Sequence, residues 1–290
     1  MTKRIYTAFT IATVTAVCLP AGHSADLSGS SFPVGLDHVN IAVNDLASAK
    51  GTFEALGFTI KPGRLHNNSI DNLHLKFQDG TELELITASS PLDKLAKEYI
   101  ELIAEGDGAA FVAMRASNLG FLSERLEELG IPITVSGEDH HLTISISEDH
   151  ELRPIWFVEE SDLWIDQPGF TTHANGAQGL IRVWFASGLS DQIGGLFQPT
   201  EYSGASQAPL LFSDRSVQTS DLEVPVKGRA IVGVTIRVAS IDPVESLLEE
   251  AGIEAERTAQ SRGKSLLVPP ESAHGVWLEF LEPGANTDRQ

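Results

Sequence analysis

Cysteine and basic residues are scarce in this chain. Only one cysteine, Cys18, occurs among 290 residues, which excludes a disulfide framework and a cysteine-based metal cluster. The 20 Lys and Arg residues face 40 Asp and Glu residues, giving a net charge of −20. A field of that sign repels the phosphate backbone and anionic lipid. We therefore expect neither nucleic acid nor a membrane surface as a partner.

The N-terminal segment has the layout of a secretory signal. Lys3 and Arg4 precede an uncharged run over residues 5–19, which is too short to span a bilayer comfortably, and small residues follow up to Ala25. The sequence thus predicts a signal peptide at 1–25 and an exported protein, periplasmic if the source is a Gram-negative bacterium. The mature chain would have no thiol and no membrane attachment.

An internal repeat organises the rest of the chain. Three segments have the same length, namely Leu46 to Gly57, Leu119 to Gly130 and Ile241 to Gly252. Each has a residue of a type that caps helices at its start and a glycine of the kind that ends helices at its end. A fourth stretch, 186–197, has the same opening but a shorter helix. Each stretch is preceded by one predicted strand and followed by three more.

The predicted fold is therefore α+β, with four βαβββ modules. Paired modules would form two curved mixed β-sheets with the helices outside. The predicted halves are residues 34–165, with modules 1 and 2, and residues 175–283, with modules 3 and 4. His173 and Asn175, in the connection between these halves, are expected to close backbone hydrogen bonds.

Several motifs resemble those of a known superfamily. They are Gly-Leu-Asp-His-Val-Asn-Ile-Ala-Val at 35–43, Leu-Gly-Phe at 56–58, Glu-Leu-Glu-Leu-Ile at 82–86 and Gly-Val-Trp-Leu-Glu-Phe at 275–280. The chain resembles the vicinal oxygen chelate superfamily, which includes glyoxalase I, bleomycin-resistance proteins and extradiol dioxygenases, and is most similar to its glyoxalase-like group. This resemblance implies a small-molecule ligand in a cleft and metal ligands on the first and last strands of a module. A homodimer is one option that the sequence leaves open.

Strand alternation gives independent support for a site in the first module. His38 and Asn40 are expected to point to the side of the sheet opposite Val39 and Ile41. Glu84 is expected to point away from the apolar face of its own strand. His74 lies on the adjacent strand and could join this pair. The predicted metal ligands are thus His38, His74 and Glu84, which suit zinc, iron, nickel or manganese. The alternative is an imidazole–carboxylate hydrogen bond that lines a metal-free pocket.

The other modules do not repeat this donor pair. Gly233 and Glu279 have the spacing of His38 and Glu84, so the glutamate is kept and the histidine is lost. The corresponding residues of the second module are aromatic, and Arg182 takes the place of His38 in the third. The predicted substrate-binding residues are Asn40, His66, Phe111, Trp156 and Arg182. The alternative for His66 is a position in a solvent-exposed loop, and the alternative for the two aromatic residues is a place in the hydrophobic core. The alternative for Arg182 is charge compensation of nearby acidic residues.

Two functions from different classes follow from these observations. In the first, a metal site in the N-terminal cleft supports lyase, isomerase or oxygenase chemistry, and Glu82 or another cleft acid moves a proton. In the second, the protein binds a flat small molecule without a metal and without catalysis, as the bleomycin-resistance members do.

Overall fold

The computed structural model describes residues 32–137, 142–159, 166–186, 193, 196–199, 211–214, 229–260 and 263–284. The predicted signal peptide at 1–25 lies outside these ranges. None of the helices in the described part of the chain is long and apolar enough to cross a membrane.

The described strands and helices alternate along the chain. The strands are β1 (Phe32–Ala42), β2 (Lys61–Pro62), β3 (Ile70–Lys76), β4 (Glu82–Ala88), β5 (Gly108–Ala116), β6 (Ile133–Ser136), β7 (Thr143–Ile146), β8 (Ile155–Glu159), β9 (Ala177–Phe185), β10 (Phe197–Pro199), β11 (Leu211–Asp214), β12 (Ile231–Val238), β13 (Glu256–Gln260), β14 (Gly263–Val268) and β15 (Trp277–Pro283). The helices are α1 (Leu46–Ala55), α2 (Lys94–Ala104), α3 (Leu119–Glu128), α4 (Pro168–Thr171), α5 (Asp242–Ala251) and a short 3-10 helix (Pro270–Ser272).

Two mixed sheets contain all of these strands. The first has the order β2-β3-β4-β1-β5-β8-β7-β6, and β10 pairs with β1. The second has the order β11-β9-β12-β15-β14-β13. In each sheet a central strand pairs in parallel with one neighbour and antiparallel with the other: β1 lies between β4 and β5, and β12 lies between β15 and β9. The predicted α+β class with two mixed sheets is confirmed.

The local signals of the repeat act as the sequence predicts. Asp45 accepts hydrogen bonds from backbone N–H groups in the first turn of α1, and Asn118 does the same for α3. Gly57, Gly130 and Gly252 follow helices with φ of 85°, 73° and 67°, a left-handed conformation that costs glycine little.

Three stretches of the chain contain a strand, a helix and three strands in that order. They start at β1, β5 and β12, and each ends at the strand that pairs in parallel with its first one, namely β4, β8 and β15. The third expected module lies between β9 and β11, where many residues are outside the described part. The count of four modules and the boundaries of the halves stay predictions.

A single hydrophobic core joins the two sheets. It contains Val39 and Ile41 from β1, Phe53 from α1, and residues of β12 and β15. Phe58 stacks on Phe280 of the second sheet with ring centroids 5.8 Å apart. The two sheets therefore bury one another's apolar surface through their helix-covered sides.

Helix α2 is an addition that the repeat did not predict. It packs on the polar face of the first sheet, where Tyr99 meets Phe111 edge to face at 5.4 Å. Asp93 caps its first turn. This helix covers one end of the sheet surface that carries the candidate site.

Candidate metal and ligand site

The candidate site lies on one face of three neighbouring strands. Strand register sets Asn40 of β1 opposite Glu84 of β4, and Glu84 opposite His74 of β3. Because every second residue of a strand shares a face, the same surface carries further polar side chains. The full set is His38, Asn40, Asn72, His74, Lys76, Glu82 and Glu84.

Two side-chain amides hold the Glu84 carboxylate. Asn40 Nδ2 donates to Oε2 and Asn72 Nδ2 donates to Oε1, each at 2.6 Å. Asn72 is itself fixed, since its Oδ1 accepts the Arg64 N–H at 2.9 Å. Asn40 is 1% exposed, and its Oδ1 has no hydrogen-bond partner in the described residues. Glu84 is thus oriented by two neutral donors.

The ring of His38 is oriented from its other side. His38 Nδ1 lies 2.6 Å from Asp37 Oδ1, and Arg115 pairs with the second oxygen of that carboxylate. Burial raises the pKa of Asp37, but the hydrogen bond and charge of His38 and the charge of Arg115 outweigh it and hold the pKa well below its usual range. An ionised Asp37 can only accept, so the proton of a neutral His38 sits on Nδ1.

The free nitrogen of His38 points at Glu84. His38 Nε2 is buried and has no hydrogen-bond partner among the described residues. It lies 3.6 Å from Glu84 Oε2, which is too far for a hydrogen bond. Two ligand atoms that each lie about 2.0–2.2 Å from a zinc ion, with a tetrahedral angle between them, are about 3.4 Å apart. The observed spacing therefore fits a pair of metal ligands better than a direct hydrogen bond.

His74 and Glu82 complete the cluster. His74 Nδ1 lies 2.8 Å from Glu82 Oε1, and Lys76 pairs with the other oxygen of Glu82. One ligand atom each from His74, Glu82 and Glu84 lie within 4.8 Å of one another. Burial lowers the pKa of His74 to about 4, so its imidazole is neutral near pH 7, which is the form that binds a metal. This group of three contains Glu84 but not His38, so Glu84 is the residue that the His74–Glu82 pair shares with His38.

Aromatic side chains form a wall next to this cluster. The ring of Trp156 meets His38 edge-on at 5.3 Å and is half-buried. Phe111 is 4% exposed and lies between Tyr99 of α2 and the guanidinium of Arg153, which is 4.8 Å from the ring centroid. Trp156 is therefore the wall residue nearest to the histidine, whereas Phe111 supports the wall from beneath α2.

The remaining predicted substrate-binding residues lie elsewhere. His66 is half-buried in the turn before β3, where its backbone N–H donates to Ile70, and its side chain forms no hydrogen bond within the described residues. Arg182 is on β9 in the second sheet and is 2% exposed. Neither side chain joins His38 and Glu84. Asp37 and Arg115, which do reach His38, were not among the predicted site residues.

The second sheet repeats part of the arrangement without the histidine. Thr235 is opposite Glu279, as Asn40 is opposite Glu84, and Thr235 Oγ1 donates to Glu279 Oε2 at 2.7 Å. Arg182 lies 3.5 Å from the same oxygen. At Gly233, the counterpart of His38, a Cβ atom would come within 2.7 Å of the Trp184 ring and within 2.8 Å of the Trp277 Cβ. Tryptophan thus fills the space that a histidine would need.

A separate open cleft of about 1030 Å³ lies between α1, the loop 105–107 before β5 and the 3-10 helix. His274 lines it, with Nδ1 at 2.7 Å from Asp107 and Nε2 at 3.0 Å from Thr52. These contacts tie the second half of the chain to the first. The linker residues do the same, because Asn175 donates to Leu56 and His173 accepts the Thr59 N–H.

Comparison with known proteins identifies the family. The model of the glyoxalase-like domain family matches residues 36–198, which is more than half of the chain. The chain belongs to this glyoxalase-like family. It is accordingly a member of the vicinal oxygen chelate superfamily, and the resemblance seen in the sequence is confirmed. No significant match was found among the curated proteins.

Solved structures share the fold of this glyoxalase-like protein at low identity. A catechol 2,3-dioxygenase matches with 14% identity and a TM-score of 0.55, covering 88% of this chain and 91% of that one. A hypothetical protein from Staphylococcus aureus matches with 12% identity and a TM-score of 0.53, covering 85% and 98%. A xylose isomerase-like TIM barrel/4-hydroxyphenylpyruvate dioxygenase fusion protein matches with 14% identity and a TM-score of 0.56, covering 88% of this chain. The match covers 49% of the fusion protein, so the chain spans about half its length.

Proposed function

We propose that this glyoxalase-like protein is exported, that it binds a small molecule at the first sheet and that it holds a divalent metal there. The metal ligands are His38, His74 and Glu84, with Glu82 within reach. The reaction class is lyase, isomerase or oxygenase chemistry on a substrate with two adjacent oxygens. The observation that carries the proposal is the buried His38 Nε2, which has no partner in the described residues and faces the Glu84 carboxylate at 3.6 Å.

The surrounding residues support this proposal by holding the ligands in place. Asn40 and Asn72 fix both oxygens of Glu84, and Asp37 fixes the ring of His38. Such outer contacts fix the orientation of metal ligands. A buried imidazole nitrogen without a hydrogen bond is costly, and coordination removes that cost.

The chain supplies acid–base groups beside the ligands. When bound, a divalent metal would act as a Lewis acid on the substrate oxygens. Glu82, which is 6% exposed, would take up a substrate proton at its carboxylate, and Lys76 would stabilise the ionised form. Trp156 would pack against the substrate, and α2 would exclude water from the end of the site that it covers.

A second candidate function is metal-free binding of a flat small molecule. The observation that favours it is the pairing of Lys76 with Glu82, which neutralises one of the two glutamates without a metal. In that case the unpaired atoms of His38 and Asn40 would bind polar atoms of the ligand. The two functions differ in metal content.

Elemental analysis of protein purified without chelator tests the choice. We expect about one equivalent of zinc, iron, nickel or manganese in the wild type, and a loss of at least tenfold in His38→Ala and Glu84→Ala. His150→Ala and Glu127→Ala are the matched controls, since His150 lies in the turn before β8 and Glu127 is exposed on α3. They should keep the wild-type metal content.

Two results would count against the metal site. One is a metal-free wild type that still binds an aromatic ligand, which supports the second function. The other is a metal content that the His38 and Glu84 substitutions leave unchanged, which would place the metal elsewhere.

A further inference from the structure

A β-bulge places Asp37 next to His38. The register between β1 and β5 shifts between Leu36 and His38, so two consecutive residues lie on the same side of the strand. Without the bulge, Asp37 would point into the opposite face. The bulge thereby gives His38 a carboxylate partner from its own strand.

Arg115 holds this carboxylate and a distant backbone carbonyl together. Its Nε donates to Asp37, and its terminal nitrogen donates to the carbonyl of Gly80 at 2.6 Å. Gly80 belongs to the tip of the β3–β4 hairpin, residues 79–81. One guanidinium therefore links the partner of His38 to the hairpin tip, using the fixed fork that lysine lacks.

The hairpin tip is docked on the second sheet. The backbone N–H of Leu180 on β9 donates to Thr81 Oγ1 at 2.8 Å, and Thr81 donates to Asp79 at 2.6 Å. Gly179 leaves room for the Asp79 carboxylate, because a Cβ atom there would be 1.7 Å from Asp79 Oδ2. Hydrogen bonds at both ends of the hairpin tip, joined through its backbone, thus connect β9 to the ring of His38.

We propose that Asp37 and Arg115 are positioning residues that fix the tautomer and orientation of His38, and that the second sheet sets this geometry through the hairpin tip. The proposal rests on the proposed function in one respect, since the His38 Nε2 it exposes is the nitrogen assigned to the metal. The second sheet, which has no histidine of its own at Gly233, contributes to the site of the first sheet in this way.

Nitrogen-15 NMR of the histidine side chains tests the orientation without any metal. In the metal-free full chain we expect the neutral form of His38 to carry its proton on Nδ1. In Asp37→Asn and Asp37→Ala the Nε2–H form should gain population, and in the matched control Asp149→Asn, an exposed aspartate, the spectrum of His38 should not change. A proton on Nε2 in the wild type, or no change in either Asp37 variant, would overturn the proposal.

Titration with Co²⁺ tests the consequence for the ligand. We expect Asp37→Asn and Arg115→Lys to bind Co²⁺ about 10–100-fold more weakly than the wild type, the usual effect of losing an outer partner of a ligand histidine. The visible absorption of bound Co²⁺ should also change. Equal affinity in these variants and the wild type would contradict the positioning role. If the wild type binds no Co²⁺, the proposed function fails, and the tautomer measurement still decides the positioning role.

Substitution of Gly179 tests the link to the second sheet without replacing any residue of the candidate site. Gly179→Ala should displace the hairpin tip and lower Co²⁺ affinity by at least threefold, with a change at His38 in the NMR spectrum. Gly169→Ala is the matched control, because a Cβ atom there meets nothing within 4 Å. A folded Gly179→Ala protein with wild-type affinity and a wild-type His38 signal would show that the second sheet does not set the geometry.

Discussion

Single hydrogen bonds decide which atoms of the candidate site can bind a ligand. Asn40 and Asn72 occupy one lone pair on each oxygen of Glu84, and Asp37 occupies His38 Nδ1. The atoms left over, His38 Nε2 and the remaining carboxylate lone pairs, face the same space. Strand alternation in the sequence predicts that His38 and Glu84 share a face. The position of Asp37 was missed, although the apolar alternation of β1 changes phase between Leu36 and Val39, which is the signal of the bulge.

His173 gives a pH dependence that can be measured apart from the site. The Thr59 N–H donates to His173 Nδ1, and His173 Nε2 donates to the Lys76 carbonyl, so the folded protein needs the neutral ring. Burial lowers the pKa of His173 below the usual value of about 6.5. Between the two pKa values the unfolded chain binds more protons than the folded chain. The stability that His173 contributes is therefore complete above about pH 6.5 and declines as the pH falls through this interval.

Urea unfolding of the wild type and His173→Ala checks this prediction. At pH 7.5 the substitution should cost about 1–3 kcal/mol, because it leaves the Thr59 N–H and the Lys76 carbonyl unpaired. At pH 5 the difference between the two proteins should be smaller. A difference that stays constant or grows toward low pH would contradict the assigned hydrogen bonds.

Whole elements determine which of the two sheets can carry the site. Helix α2 lies on the site face of the first sheet, and tryptophans fill the corresponding position of the second. The sequence contains indications of α2, namely a capping Asp93 and apolar residues at 96, 99 and 103, but these do not say which face it covers. The capping residues of α1 and α3 and the glycine breaks after α1, α3 and α5 were predictable, because they act within a few residues of the chain, whereas α5 begins after Ile241 without a side-chain cap.

Gly233 should not tolerate a side chain. A Cβ atom at Gly233 would press on Trp184 and Trp277, both part of the packed second sheet. We expect Gly233→Ala to reduce the free energy of unfolding by about 1–3 kcal/mol, the usual cost of overpacking. Gly169→Ala should change it by less than about 0.5 kcal/mol. Urea unfolding measures both; a neutral Gly233→Ala would show that the tryptophans do not fill this space.

The molecule as a whole combines two similar sheets that depend on each other. They share one core, and Arg229 of the second half donates to the carbonyls of Leu102 and Gly106 at the end of α2. The repeat in the sequence predicted the two sheets. It could not predict these contacts, since they join residues more than a hundred positions apart and have no local pattern.

The two halves should therefore unfold together. We expect a single transition by circular dichroism and by tryptophan fluorescence for the whole chain. A fragment ending at residue 165 should lack cooperative unfolding, because it would expose Phe58 and the rest of the shared core. Separate transitions, or a stable fragment, would show that each half folds on its own.

The central claim concerns the space between His38 Nε2 and Glu84 Oε2, and anomalous X-ray scattering tests it most directly. Crystals of protein purified without chelator would be measured on both sides of the manganese, iron, nickel and zinc absorption edges. The proposal predicts an anomalous peak about 2.0–2.2 Å from both atoms. Contrary evidence would be the absence of any peak there together with a direct hydrogen bond between the imidazole and the carboxylate.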